Sequence, residues 1–273
     1  MLTTDARLLD ELTNIASRAG ASIQAIAHRA LDPRRKADKS VVTAADEAAE
    51  AVILESLSRL LPGIPIVSEE AAAQGKCPTL AREFILVDPL DGTRDFLDGR
   101  PEFTVNIAIV ADQTPVLGVV GAPALNLIWR GAVGHGAERL HLKPGASMSD
   151  ARDKTAIKAR PAPAAGLAVT HSRSHLDPAT AAFVEKLPKT DPIVCGSAIK
   201  FCRVAEGTAD VYPRLSPTCE WDVAAGNAVL AAAGGIVTTP QAQPIIYGNA
   251  QAKFVIPAFL AWGDRAAAER FKL

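Results

Sequence analysis

The chain has 273 residues, 48% hydrophobic and 22% charged, with a formal net charge of −1. That is a globular composition, long enough for one large or two modest domains, and it carries no global attraction to nucleic acid or to an anionic membrane. No run of about 18 uncharged apolar residues predicts a membrane-spanning helix, and the opening MLTTDARLLDEL, acidic from the start, does not read as a signal peptide.

Leu8, Leu12, Ile15, Ala19, Ile23 and Ile26 recur at helical spacing and predict one amphipathic helix over residues 5 to 29. LDPRRKADKS then reads as a charged loop. A second helix begins at Thr43, with Asp46 three positions on as a capping partner, and Pro62-Gly63 stops it. IPIV (64–67) and EFILVD (83–88) read as buried strands. FTVNIAIV (103–110), VLGVV (116–120) and NLIWR (126–130) suggest an antiparallel meander. Residues 151–166, polar and rich in Pro and Ala, mark the expected boundary between an N-terminal α+β half (1–150) and a C-terminal half (151–273). Beyond it LAVT, IVC, DVY and GGIV alternate with helical stretches near 177–187, 198–206 and 222–233, an α/β pattern.

The cysteines at 77, 195, 202 and 219 form no CxxC pair, so reduced thiols in a cytoplasmic protein are expected. Several catalytic templates fail. There is no GxSxG and no GxxxxGK[ST], GHGAER (134–139) ends in Arg139 where GxGxxG needs glycine, and HSRSH (171–175) lacks the glutamate of HExxH. Cys202 lies in an apolar helical pattern and reads as core.

The acids are placed differently. Glu69 and Glu70 follow the IPIV strand, Asp88 and Asp91 follow the FILV strand, and Asp222 opens the helix WDVAAGNAVLAAAGG. Singly, VDPLDGT is a turn, SEE a solvated loop and Asp222 a helix cap. Together they set carboxylates at the ends of three buried elements, which suits Mg²⁺, a hard cation that takes carboxylates, waters and phosphate oxygens. Gly92 and Thr93 follow the turn, where backbone N–H groups can receive a phosphate. The Thr93 hydroxyl can orient a water if Asp46 is near.

Glu69-Glu70, Asp88-Pro89-Leu90-Asp91-Gly92-Thr93 and Trp221-Asp222-Val223-Ala224-Ala225-Gly226 resemble the three signatures of the inositol monophosphatase superfamily. These are lithium-sensitive, Mg²⁺-dependent phosphatases. The resemblance runs from VVTAAD (41–46) to FVIPAFLAWG (254–263). It implies a layered α-β-α-β-α sandwich of the inositol monophosphatase / fructose-1,6-bisphosphatase type. It also implies two or more Mg²⁺ ions on Glu69, Asp88, the Leu90 carbonyl, Asp91 and Asp222. Thr93 with Asp46 would activate the attacking water, Glu69 would share in catalysis, and Gly92 and Thr93 would hold the scissile phosphate.

TVNIAIV, HSRSH, CGSAIKFCRVAEG (195–207), VYPR (211–214) and DGTRDFLDGRPEFTVNIA resemble the CysQ-type 3'(2'),5'-bisphosphate nucleotidase branch of that superfamily. The resemblance assigns Ser197, Lys200 and Arg214 to substrate phosphate and His175 to the nucleoside region. The chemistry agrees, because a second phosphate that the metals do not hold needs a cationic pocket. On a surface, Lys200 would merely decorate a helix and Arg214 would pair with an acid. The expected partner is a small bisphosphorylated nucleotide such as 3'-phosphoadenosine 5'-phosphate, with no nucleic acid and no membrane span. Oligomeric state and peripheral membrane association are left open. The rival expectations are an inositol phosphate or fructose 1,6-bisphosphate phosphatase, and a non-catalytic nucleotide or metal sensor.

Overall fold

Helix α1 (Ala6–Ala27) buries Leu8, Leu12, Ile15, Ala19 and Ile23 along one side, as their spacing requires. The computed structural model describes residues 5–27, 34–35, 41–172 and 176–273. The expected charged loop therefore lies outside the described residues, apart from β1 (Arg34–Arg35), which pairs antiparallel with β2 (Val41–Val42). Helix α2 (Ala44–Leu60) opens on a complete capping box. Thr43 Oγ1 accepts from Ala45 N–H at 3.1 Å, and Asp46 Oδ2 accepts from Thr43 N–H at 2.8 Å, satisfying donors that the first turn leaves unpaired.

The chain continues through β3 (Ile66–Ser68), α3 (Glu69–Ala73), β4 (Glu83–Asp91) and α4 (Thr93–Leu97). The strands β5 (Thr104–Ala111), β6 (Thr114–Ala122), β7 (Leu127–Ala132), β8 (Gly136–His141) and β9 (Arg152–Ile157) follow. They form a seven-stranded sheet in the order β3-β4-β5-β6-β7-β8-β9. Only its first pair is parallel; the rest is the expected meander, extended by two strands. Neither β8 nor β9 was expected. β9 is exposed along nearly its whole length and reads RDKTAI, with no buried face to imprint an apolar alternation. Its charges suit an open sheet edge, which they protect from further pairing. The expected division at residue 150 falls before β9, which stays in the large sheet.

The remaining elements are β10 (Leu167–Ser172), α5 (Pro178–Lys186), β11 (Thr190–Cys195), α6 (Ile199–Ala205) and β12 (Val211–Arg214). After them come β13 (Thr218–Cys219), α7 (Glu220–Ala232), β14 (Ile236–Thr238), β15 (Val255–Ile256), β16 (Phe259–Trp262) and α8 (Arg265–Arg270). A five-stranded sheet runs β11-β10-β12-β16-β14, and β13 pairs with β15.

Three hydrophobic cores hold five layers together, the central one lying on both faces of its helices. Helices α1 and α2 cover one face of the large sheet, with Leu12, Ile53, Val105 and Ile107 among the buried side chains. Helices α6 and α7 lie between the sheets, where Leu86, Ala108, Phe201, Val229 and Phe259 meet. Helices α5 and α8 cover the outer face of the small sheet through Phe183, Leu260, Trp262 and Ala267. This is the expected α-β-α-β-α sandwich. Helix α7 sits unusually close to the large sheet. A Cβ on Gly118 would stand 2.4 Å from the Ala225 carbonyl oxygen, and one on Gly131 would stand 2.8 Å from Ala232 Cβ. Among the described residues no helix is long and apolar enough to cross a membrane.

Candidate active site

The end of β4 explains why two aspartates three residues apart can act on one side. Asp88 pairs with Asn106 of β5 and Asp91 with Thr104, so three steps on β4 answer two on β5. In a regular strand, residues three apart point to opposite faces. The irregularity at Pro89-Leu90 removes that offset and puts both aspartates on the face toward α7. Leu90 turns its side chain into the opposite core and is buried there. Gly92 then takes φ 91°, a conformation that glycine enters without a Cβ clash, and α4 begins at Thr93.

Three elements converge on this corner. Glu69 is the first residue of α3, and Asp222 is the third of α7. Carboxylate oxygens of Glu69, Asp88 and Asp222 all lie within 4.8 Å of one another. Asp222 does cap its helix, accepting from Cys219 N–H at 3.0 Å and from the Thr218 hydroxyl. The cap also fixes the carboxylate's direction. Leu90 N–H donates to Asp88 Oδ1 at 3.0 Å. Burial, then the charges of Glu69, Asp91, Asp222 and Asp46, push the Asp88 carboxyl well above the usual carboxylate range. Burial and Asp222 raise Asp91 as well, against the pull of Lys200, Ser197 and Arg214. Crowded, desolvated carboxylates of this kind are all oxygen donors with surplus negative charge. They fit a hard divalent cation such as Mg²⁺.

Asp46 is buried under the same corner. Thr93 Oγ1 lies 3.2 Å from Asp46 Oδ1 and 3.2 Å from the Leu90 carbonyl oxygen. The Thr43 hydroxyl donates to Asp46 Oδ2 at 2.7 Å, so the capping box of α2 also orients this carboxylate.

The cationic flank comes from the second half of the chain. Lys200 is only 3% exposed. It donates to the Ser197 carbonyl at 2.6 Å and stands 5.2 Å over the Tyr212 ring. Ser197 holds φ 56°, uncommon for a residue with a side chain, and its hydroxyl lies 2.5 Å from Thr104 Oγ1. Gly196 before it is wedged against the N-terminal half, where a Cβ would meet Asp95 Oδ2 and the Glu102 carbonyl at 2.7 Å each. Arg214, at the end of β12, donates to the Pro217 carbonyl at 3.3 Å, while its buried Nε has no partner among the described residues.

A cleft of about 310 Å³ joins the two groups. It is lined by Glu69, Asp88, Leu90, Asp91, Gly92, Thr93, Ser197, Lys200, Arg214 and Asp222 among others. The expected site residues are thus together, except that Asp46 supports Thr93 from behind and His175 lies outside the described residues. Tyr212, Thr218 and Thr104 were not expected in the site. Tyr212 sits in the VYPR segment quoted above, but nothing in sequence marks a tyrosine as the platform for Lys200. Thr218 and Thr104 gain their roles through pairing and capping, which no local pattern announces.

The fold and the carboxylate corner define a class. A sequence model of the inositol monophosphatase family matches residues 6–270, and the chain belongs to that family. Within it, the chain is 38% identical over 255 residues to the 3'(2'),5'-bisphosphate nucleotidase CysQ of Escherichia coli strain K12, covering 92% of this chain and 98% of that one. A solved structure of CysQ from Bacteroides thetaiotaomicron superposes with a TM-score of 0.78 at 32% identity, covering 95% and 98% of the two chains. The inositol monophosphatase of Anabaena gives 0.74 at 28%, covering 97% and 94%.

Proposed function

We propose that this chain is a Mg²⁺-dependent 3'(2'),5'-bisphosphate nucleotidase. It removes the 3'-phosphate of 3'-phosphoadenosine 5'-phosphate, giving AMP and phosphate, and takes the 5'-phosphosulfate analogue as well, which links it to sulfate assimilation. The likeness to the CysQ enzymes supports this reading. The observation that carries it is the buried Lys200 with Ser197 and Arg214 on the wall of the carboxylate cleft. A monophosphate would leave that cationic wall without a partner, whereas a second phosphate matches it.

In this reading Glu69, Asp88, the Leu90 carbonyl, Asp91 and Asp222 hold two or more Mg²⁺ ions. Bound there, the ions supply Lewis-acid polarisation of the phosphate and a more acidic water. The chain's own residues do the rest. Asp46 Oδ1 accepts the Thr93 hydroxyl proton, which leaves Thr93 Oγ1 free to accept from the attacking water and to aim it. Glu69, at the start of α3, faces the same water. Gly92 and Thr93 N–H groups hold the scissile phosphate, and Ser197, Lys200 and Arg214 hold the other. The resemblance assigns His175 to the nucleoside. Phosphate release from 3'-phosphoadenosine 5'-phosphate tests the reading: it should require Mg²⁺ and be inhibited by Li⁺. Tight nucleotide binding with no release in Mg²⁺ would instead mark a non-catalytic sensor.

A further inference from the structure

Each aspartate at the end of β4 has a polar cross-strand neighbour on β5, Asp91 facing Thr104 and Asp88 facing Asn106. The two neighbours are two residues apart on one strand, so they share a face, and on that face the next residues along β5 are Ala108 and Val110 of the central core. Thr104 is already engaged, its hydroxyl against Ser197. Asn106 is not. It is 1% exposed, and neither its Oδ1 nor its Nδ2 has a hydrogen-bond partner among the described residues.

Leaving a buried amide unsatisfied is costly, and an apolar residue of the same shape would remove that cost. The fold gains nothing visible from asparagine there, since on the side away from Thr104 that face continues in Ala108 and Val110, both aliphatic. Directly paired residues of an antiparallel ladder have Cβ atoms about 4.5–5.5 Å apart, which puts the carboxamide within reach of the Asp88 carboxylate. Asp88 Oδ1 is held from its own strand by Leu90 N–H. A carboxylate fixed at one oxygen still rotates about that contact, and ligands are oriented by hydrogen bonds from behind.

We propose that Asn106 is a positioning residue for the cation site. A turn of its side chain would bring Nδ2–H, unpaired as it stands, onto the ionised Asp88 carboxylate and fix the plane in which Asp88 meets the metal. Thr104 does the corresponding work two residues along the strand, joining the Asp91 end of the corner to Ser197. The strand β5 is thereby a brace behind the whole metal corner. This inference rests on the reading of Asp88 as a metal ligand.

The test is Mg²⁺ binding by calorimetry to metal-free protein, with no substrate, for the natural chain, Asn106→Leu and Asn106→Ala. The expected result is that both variants bind Mg²⁺ about tenfold more weakly, while Asn106→Leu melts no lower than the natural chain in the absence of metal. The alanine variant removes the donor without filling the space, so it reports on affinity if leucine proves too bulky to fold. Unchanged Mg²⁺ affinity in a folded variant would overturn the positioning role and leave the metal site intact. Absence of Mg²⁺ binding to the natural chain would overturn the metal reading itself, and the inference with it.

Discussion

Thr93 Oγ1 stands 3.2 Å from Asp46 Oδ1, joining residues 47 positions apart, one at the start of α4 and one in the first turn of α2. Asp46 is held in turn by both the backbone and the hydroxyl of Thr43. In the proposed reading, a helix cap doubles as the orienting group of a dyad. Substituting Asp46→Asn reverses the hydrogen-bond sense that leaves Thr93 an acceptor. We expect kcat to fall about 100- to 10,000-fold with KM nearly unchanged, as steady-state kinetics will read. Thr93→Ser should retain far more activity than Thr93→Ala, because it keeps the hydroxyl.

Asp91→Asn should abolish turnover and leave the fold intact, since in the proposed reading a coordinating charge is lost while the shape remains. Circular dichroism and phosphate release together check this. Undiminished activity would remove Asp91 from the metal site.

Stability without metal should depend on pH through Asp88. Its carboxyl is raised in the folded chain, first by burial and then by four neighbouring acids, so the folded state binds its proton more tightly than the unfolded state does. Its contribution is therefore fully present below the ordinary carboxylate pKa of about 3.9 and is lost as pH rises through the folded value. Asp88→Asn removes this penalty. The metal-free variant should melt above the natural chain at pH 8, the difference should shrink toward pH 5, and Mg²⁺ should stabilise the natural chain more than the variant. Thermal melts in chelator and in Mg²⁺ at the two pH values check all three.

Arg214→Glu should impair hydrolysis of 3'-phosphoadenosine 5'-phosphate much more than that of 3'-AMP, because in the proposed reading the guanidinium holds only the second phosphate. Equal losses on both esters would take Arg214 out of the phosphate pocket.

Gly118→Ala forces a Cβ to within 2.4 Å of the Ala225 carbonyl oxygen, a backbone atom that yields only if α7 moves. A cost of about 1–3 kcal/mol is expected for such overpacking, read from denaturant unfolding. Because α7 carries Asp222, Mg²⁺ affinity should fall in the same variant. Gly63→Ala, where no atom lies within 4 Å of the added Cβ but φ is 86°, should cost stability without touching Mg²⁺ affinity.

Much of this was legible in the residues because strong local signals coincide with strong structural demands. The 3.6-residue period of α1, the Thr43/Asp46 box of α2 and the apolar run of β4 each carry their own reason to form. The acids of Glu69, Asp88, Asp91 and Asp222 stood out because they end buried elements. What stayed hidden depends on pairing between distant segments. β9 has no buried face to mark it. The irregularity at Pro89-Leu90 shows only against the register of β5. Asn106 looks like any residue of FTVNIAIV until that register sets it opposite Asp88.

In the proposed reading the carboxylate corner and the cationic wall serve one bisphosphorylated substrate. The most direct measurement is phosphate release from 3'-phosphoadenosine 5'-phosphate and from inositol 1-phosphate, side by side at equal concentration, with and without Mg²⁺. Mg²⁺-dependent release with clear preference for the nucleotide is expected. Preference for inositol 1-phosphate would contradict it.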